Sequence, residues 1–158
     1  MKICPPEAPK VTIMTIRKAS KTDASRIAEI HRRSREEAMP WLPDLHTPAE
    51  DLWFYENLVI PDQDVAVHEV NGEITGFIAT AQGWLHHLYV DPDHWGHGIG
   101  ALLLLSAQSH NKTLQLWVFQ QNTGAIRFYE AHGFTQIERT DGEANEEKFP
   151  DIKMSWHI

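Results

Sequence analysis

The chain has 158 residues, 22 acidic against 14 basic, for a formal net charge of −8. The length suits one domain with a sizeable core, and the acidic balance argues against nonspecific binding to nucleic acid or to anionic membranes. The single cysteine, Cys4, excludes an intrachain disulfide framework and a cysteine-based metal cluster, and no apolar run approaches the roughly 20 residues needed to cross a bilayer, so a soluble, cytoplasmic protein is the expectation.

Residues 1–10, with Pro5, Pro6 and Pro9, read as a flexible lead-in to a domain over 11–158. Val11 to Arg17 alternates as a strand does. Ser20 or Thr22 can cap a helix whose stripe of Ala24, Ile27, Ala28, Ile30 and His31 runs to about Glu37. Its opposite face carries Arg26, Glu29, Arg32, Arg33 and Glu36; Arg32 and Arg33 read as a solvated surface, or as one arginine meeting a carboxylate on a ligand. The connector Met39–His46 is broken by Pro40 and Pro43 yet is unusually apolar. A second helix follows, capped by Thr47 with Pro48 at its first position and Glu50 completing a capping box. Strands are expected at 64–71, 73–81 and 84–90, the first two joined by an Asn71-Gly72 hairpin turn.

The next stretch changes character within a few residues. Leu88 to Val90 ends a strand, and Asp91-Pro92 stops it because proline cannot donate to a ladder. Gly96, Gly98 and Gly100 alternate with larger residues, and a run from Ala101 to Leu105 begins a helix that continues to about Asn111. A strand, a glycine loop and a helix N-terminus together can aim several main-chain N–H groups at one place, suiting a phosphate or pyrophosphate. The alternative is a tight strand-to-helix turn with no ligand. No lysine followed by Ser or Thr ends the loop, so the nucleoside-triphosphate loop pattern fails, and no second parallel half follows to bind a dinucleotide. A strand over 113–119, a helix over 122–134, and strands over 134–140 and 152–158 complete the chain. Trp84, Trp117 and Trp156 read as core residues of the sheet.

The spacing of Asn122, Ala125, Phe128, Tyr129, Gly133 and Phe134, added to Gly98 and Gly100, resembles the two signature elements of the GCN5-related N-acetyltransferase (GNAT) family. The similarity runs from Ile13 to about residue 157. It implies a single-domain α/β fold: a mixed, mostly antiparallel sheet flanked by helices, with a splayed pair of parallel strands. It also implies acetyl-CoA as cosubstrate, its pyrophosphate held by the main chain over Gly96, His97, Gly98, Ile99, Gly100 and Ala101. Trp95 departs from the family pattern, standing where Gln or Arg is usual. Leu88, Tyr89 and Val90 match the strand that pairs with pantetheine, Asn122 a residue that touches cofactor or orders the gap, and Tyr129 the general acid for the departing thiolate.

The implied activity is direct acetyl transfer to a primary amine, with no metal expected. A small-molecule acceptor is preferred, the alternatives being a protein or peptide N-terminus and a noncatalytic acyl-CoA-binding module. His86 and His87 are candidate bases, beside Glu146, Glu147 or water. Edge strands of this architecture are compatible with a homodimer.

Overall fold

The computed structural model describes residues 11–158 together with Ile3, Pro5 and Pro6; the remainder of the lead-in, Cys4 included, lies outside the described residues. Seven strands form one sheet in the order β1-β2-β3-β4-β5-β7-β6. They are β1 (Met14–Lys18), β2 (Asp64–Val70), β3 (Glu73–Ala81), β4 (Trp84–Val90), β5 (Thr113–Phe119), β6 (Thr135–Thr140) and β7 (Asp151–His157). The helices are α1 (Ala24–Ala38), α2 (Pro48–Phe54), α3 (Ile60–Asp62), α4 (Ile99–His110) and α5 (Thr123–Ala131), with a π-helical segment over Tyr55–Val59 between α2 and α3.

Local chemistry sets most of these boundaries. Thr47 caps α2 as its sequence predicts: its hydroxyl accepts the Glu50 N–H at 3.2 Å, and the Glu50 carboxylate accepts the Thr47 N–H at 3.1 Å. Asn71 and Gly72 adopt φ of 51° and 82°, as the hairpin turn requires. The first strand is shorter than its alternation suggests. Met14 opposite Val70 is its outermost pair, because the Asn71-Gly72 turn takes β2 away and leaves Val11 and Ile13 exposed.

Two cores cover the two faces of the sheet. On one face α1 and the π segment bury Ile27, Ile30, Tyr55 and Val59 against Val65, Val67 and Phe77. On the other, α4 and α5 bury Leu103, Leu104 and Ile126 against Ile78, Leu114, Leu116 and Met154. Alternation along β2 to β5 thus feeds both layers. Trp117 departs from its expected core position. It is 46% exposed, with Lys153 Nζ 5.6 Å above its ring, because the inward positions of β5 are taken by Leu114, Leu116 and Val118.

Every neighbouring pair of strands is antiparallel except β4 and β5, whose parallel pairing consists of Trp84 opposite Gln115. A bulge explains the parting. Ala79 pairs with His87 and Thr80 with Leu85, leaving His86 as the extra residue on β4. A bulge bends and twists its strand, and β5 beyond Gln115 stays with β7 through to Phe119 opposite Asp151. The rest of β4 therefore lines a gap instead of a ladder.

Phe77 is fully buried in β3, edge-on to Tyr55 with ring centres 5.4 Å apart and tilted beside Tyr89 at 5.8 Å. Phe77→Ala is expected to lower the free energy of unfolding by about 3–5 kcal/mol, read from urea denaturation.

Candidate active site

The parted strands open a cleft of about 630 Å3. Leu88, Tyr89 and Val90 of β4 form one wall, and Asn122, Ala125, Phe128 and Tyr129 at α5 form the other. Trp95, Gly96, Gly98, Ile99, Gly100 and Ala101 close one end, and Ser34, Ala38 and Met39 reach in from α1 and its connector. Of the candidate site residues singled out in the sequence, His86, His87, His97, Glu146 and Glu147 do not line this cleft, whereas Leu88 to Val90, Trp95, Gly96, Gly98 to Ala101, Asn122 and Tyr129 do.

The glycine loop is shaped by its backbone. Gly96 and Gly98 hold φ of 81° and 75°, a left-handed conformation that disfavours a Cβ. A Cβ at Gly98 would meet no atom within 4 Å, so glycine is required there for conformation and not for space. Gly98 precedes the first residue of α4 and supplies no side-chain cap. The N–H groups of the first turn of α4 are thus left for another acceptor. Trp95, at the position that departs from the family pattern, donates its indole N–H to the Val90 carbonyl at 2.8 Å. It ties the loop to the strand end instead of presenting a polar group.

A buried carboxylate anchors the whole turn. Asp91, almost wholly inaccessible, accepts Arg26 Nη2 at 2.6 Å, Arg33 Nη1 at 2.5 Å and the Asp93 N–H at 3.2 Å. Burial pushes its carboxyl up, but the hydrogen bonds from Arg26 and the Asp93 N–H and the charges of Arg26 and Arg33 outweigh that and hold it below the ordinary carboxylate range. The start of the glycine loop is thereby fastened to α1. Arg26 and Arg33 serve this contact and are not a merely solvated face.

Tyr129 is buried beside Phe128 and Phe134, with ring centres at 5.2 and 5.4 Å. Burial, with a smaller contribution from Tyr89, raises its pKa and keeps the phenol protonated at neutral pH. Asn122 accepts the Ala125 N–H at 3.3 Å and so caps α5, while its Nδ2 rests 3.6 Å from Met39 Sδ. Its side chain ties α5 to the connector after α1.

The two histidines of β4 fall in different surroundings. His86, at the bulge, is exposed. His87 sits among Phe54, Tyr55 and Tyr89, and burial, followed by His31 and His86, lowers its pKa to about 3. Tyr55 Oη lies 2.6 Å from His31 Nδ1 and 3.4 Å from His87 Nδ1. His97 Nδ1 lies 3.1 Å from the carbonyls of both His94 and Trp95. Among the described residues no cluster of three or more His, Cys, Asp and Glu side chains is placed to hold a metal ion.

A smaller cavity of about 310 Å3 adjoins the cleft, sharing Met39 with it. His31, Arg32, Arg35, Leu42 and Asp51 are among its lining residues. The late loop reaches this side, as its position suggests: Glu146 lies 2.8 Å from His46 Nε2, and Glu147 lies 3.6 Å from Arg35 Nη2. Trp41 of the connector packs against Phe119 and Phe149.

Residues 61–136 match the model of the acetyltransferase (GNAT) domain. The chain is 36% identical over 107 residues to the uncharacterized N-acetyltransferase MJ1207 of Methanocaldococcus jannaschii, covering 57% of this chain and 47% of that one. It is 33% identical over 93 residues to the peptidyl-lysine N-acetyltransferase YiaC of Escherichia coli, covering 58% and 62%. To the L-methionine sulfoximine/L-methionine sulfone acetyltransferase of Salmonella typhimurium it is 30% identical over 138 residues, covering 77% and 80%. The chain belongs to the GNAT acetyltransferase family. The first two matches span less than two thirds of those relatives' own lengths. The GNAT fold is shared by the PaiA N-acetyltransferase of Thermoplasma acidophilum, solved in complex with coenzyme A, with a TM-score of 0.74 at 23% identity over 92% of this chain and 99% of that one.

Within this GNAT domain, reading the sequence misses the α1 contribution to the cleft. Ser34 and Ala38 are four apart and so share a helix face, but small residues there read as packing. It misses the Asp91 anchor too, although an aspartate before proline at a strand end is visible. Breaking that anchor with Asp91→Ala should cost about 3 kcal/mol of stability, the low end of the range for splitting a buried pair, because both arginines reach water. The folded carboxyl titrates below its unfolded value, so its contribution is complete at neutral pH and is lost as pH falls through the lower, folded value. Thermal unfolding should therefore separate wild type from variant at pH 7 and bring them together in strong acid.

Proposed function

We propose that this chain is an acetyl-CoA-dependent N-acetyltransferase that transfers the acetyl group directly to a primary amine of a small molecule. The observation that carries the reading is the convergence of three features on one cleft: main-chain groups of β4 released from pairing with β5, an uncapped helix N-terminus behind two left-handed glycines, and a buried protonated phenol.

These features fit the proposed cosubstrate. Acetyl-CoA supplies an acyl group already activated as a thioester. The loop from Gly96 to Ala101 would hold its pyrophosphate through N–H groups, and Leu88 to Val90 would pair with its pantetheine arm. The same stretch of β4 offers an N–H to the negative charge that develops on the acyl oxygen when the amine attacks. Tyr129 holds a proton for the departing sulfur, and its burial keeps it protonated at neutral pH until the thiolate forms.

The amine must lose a proton as well. His87 is neutral and set back from the cleft, and His86 faces away from the buried cluster. Solvent water reached through the open cleft is the acceptor best supported by this arrangement, with His86 and His87 as the side-chain alternatives. A small acceptor is favoured by the adjoining cavity, whose volume lies at the low end of the ligand-pocket range.

Release of coenzyme A across a panel of amines and peptides tests the activity. Turnover with small amines supports the reading; turnover confined to peptides would move the acceptor class, and tight acetyl-CoA binding with no turnover on any amine would leave a binding module. Tyr129→Phe should lower kcat by about 100-fold while calorimetry finds acetyl-CoA affinity unchanged; loss of binding and turnover together would make Tyr129 structural. Gly98→Val forces a β-branched residue into a left-handed conformation at a cost of about 1–3 kcal/mol. Acetyl-CoA affinity should fall about tenfold or more, and an unchanged affinity would remove the loop from the site.

A further inference from the structure

We propose that Arg35 is a carboxylate subsite in the cavity beside the cofactor cleft, so that the amine acetylated by this chain belongs to an amino acid or a close analogue. The inference rests on the N-acetyltransferase reading above and narrows its acceptor.

The four arginines of α1 are engaged unequally. Arg26 is closed by Asp91 at 2.6 Å, Glu29 at 3.3 Å and the Ile74 carbonyl at 3.0 Å. Arg33 holds Asp91 at 2.5 Å and Asp93 at 3.1 Å. Arg32 holds Asp44 and Asp51, each at 2.8 Å, and the His46 carbonyl at 2.6 Å. Arg35 differs. Among the described residues its one hydrogen bond goes from Nη2 to the Pro43 carbonyl at 3.0 Å, and its nearest carboxylate, Glu147, stands off at 3.6 Å. A guanidinium carries five N–H donors in a planar fork. Arg35 is only 16% exposed and lines the cavity. A largely desolvated cation with spare donors at a cavity is a binding group for a carboxylate, which it can engage with two parallel bonds.

The surroundings fix the kind of molecule. Met39 is common to this cavity and the cofactor cleft. Tyr89, which lines the cleft, has its ring centre 4.7 Å from that of His31, which lines the cavity. A small molecule held at Arg35 by its carboxylate would lie in a cavity that shares Met39 with the cofactor cleft, which places its amine within reach of that cleft. His31 is neutral at physiological pH: burial, followed by the charges of Arg35, Arg32 and His46, lowers its pKa to about 4. It neither competes for the carboxylate nor repels an ammonium. Asp44 and Asp51 are occupied by Arg32, and Glu36 is exposed at the rim. A polyamine or a lysine side chain entering here would meet the like charge of Arg35, with Glu36 and Glu147 as the carboxylates left to receive it.

The test compares L-amino acids with their amides and with the corresponding decarboxylated amines, measuring coenzyme A release by wild type, Arg35→Met and Arg35→Lys. In wild type the acid should exceed its amide in kcat/KM by about 10- to 100-fold, the scale of hydrogen bonds to a charged group, with the difference in KM. Arg35→Met should lower kcat/KM for the acid at least tenfold more than for the amide, and Arg35→Lys should restore part of that preference. Equal use of acid and amide by wild type, or an equal loss of both in Arg35→Met, would overturn the subsite. If no amine or peptide supports turnover, the acetyltransferase reading fails and binding decides the subsite. Calorimetry on the coenzyme A-loaded protein should then find the amino acid bound by wild type and not by Arg35→Met, and no such difference would overturn it. Acetyl-CoA affinity measured on each variant identifies one that has failed to fold, and Arg35→Lys, which keeps the charge, then carries the comparison.

Discussion

A single interrupted pairing governs this molecule. β4 and β5 run side by side as parallel strands at Trp84 and Gln115 and then separate. Buried main-chain N–H and C=O groups are almost always paired, so a strand that leaves its neighbour inside a domain is left with groups to satisfy. The bulge at His86 turns β4 away, and β7 holds β5 in place along its whole length. The gap is a product of two well-formed ladders pulling apart, and it is the space into which the glycine loop, α1 and α5 all look.

The electrostatics of α1 divide along the same line. Arg26 and Arg33 converge on the buried Asp91 and fix the turn that leads into the glycine loop. Arg32 binds the connector and α2 through Asp44 and Asp51. These arginines are occupied by the architecture. Among the described residues Arg35 is left with one carbonyl and a carboxylate at 3.6 Å, and it lines the smaller cavity, which shares Met39 with the larger cleft. One helix thus serves as scaffold over most of its length and as a polar surface of the site near its C-terminal end.

Aromatic packing separates the two wings. The cluster of His31, Tyr55, Phe77, His87 and Tyr89 fills the layer behind β4. Its histidines are desolvated and neutral, and its tyrosines are held above their ordinary pKa, principally by burial. The cluster stiffens the wall against which the cleft is formed. Trp41, Phe119 and Phe149 do the corresponding work between the connector and the late loop.

The sequence alone determined what depends on neighbours along the chain. The Thr47 capping box, the Asn71-Gly72 turn, the left-handed glycines ahead of α4 and the Asn122 cap of α5 are local devices, and the strands and helices follow their hydrophobic periods. The two signature elements sufficed to name the family and the cleft-lining residues of β4, the loop and α5. Only the tertiary structure decided that, among the described residues, Arg35 is less fully engaged than the other arginines of α1, because Asp91 and Asp51 reach that helix from later segments. It also decided that His86 and His87 lie outside the cleft: His86 is the extra residue of a bulge set by the register between β3 and β4, and His87 is taken up by the aromatic cluster, and both are relations between elements that no single stretch of residues encodes.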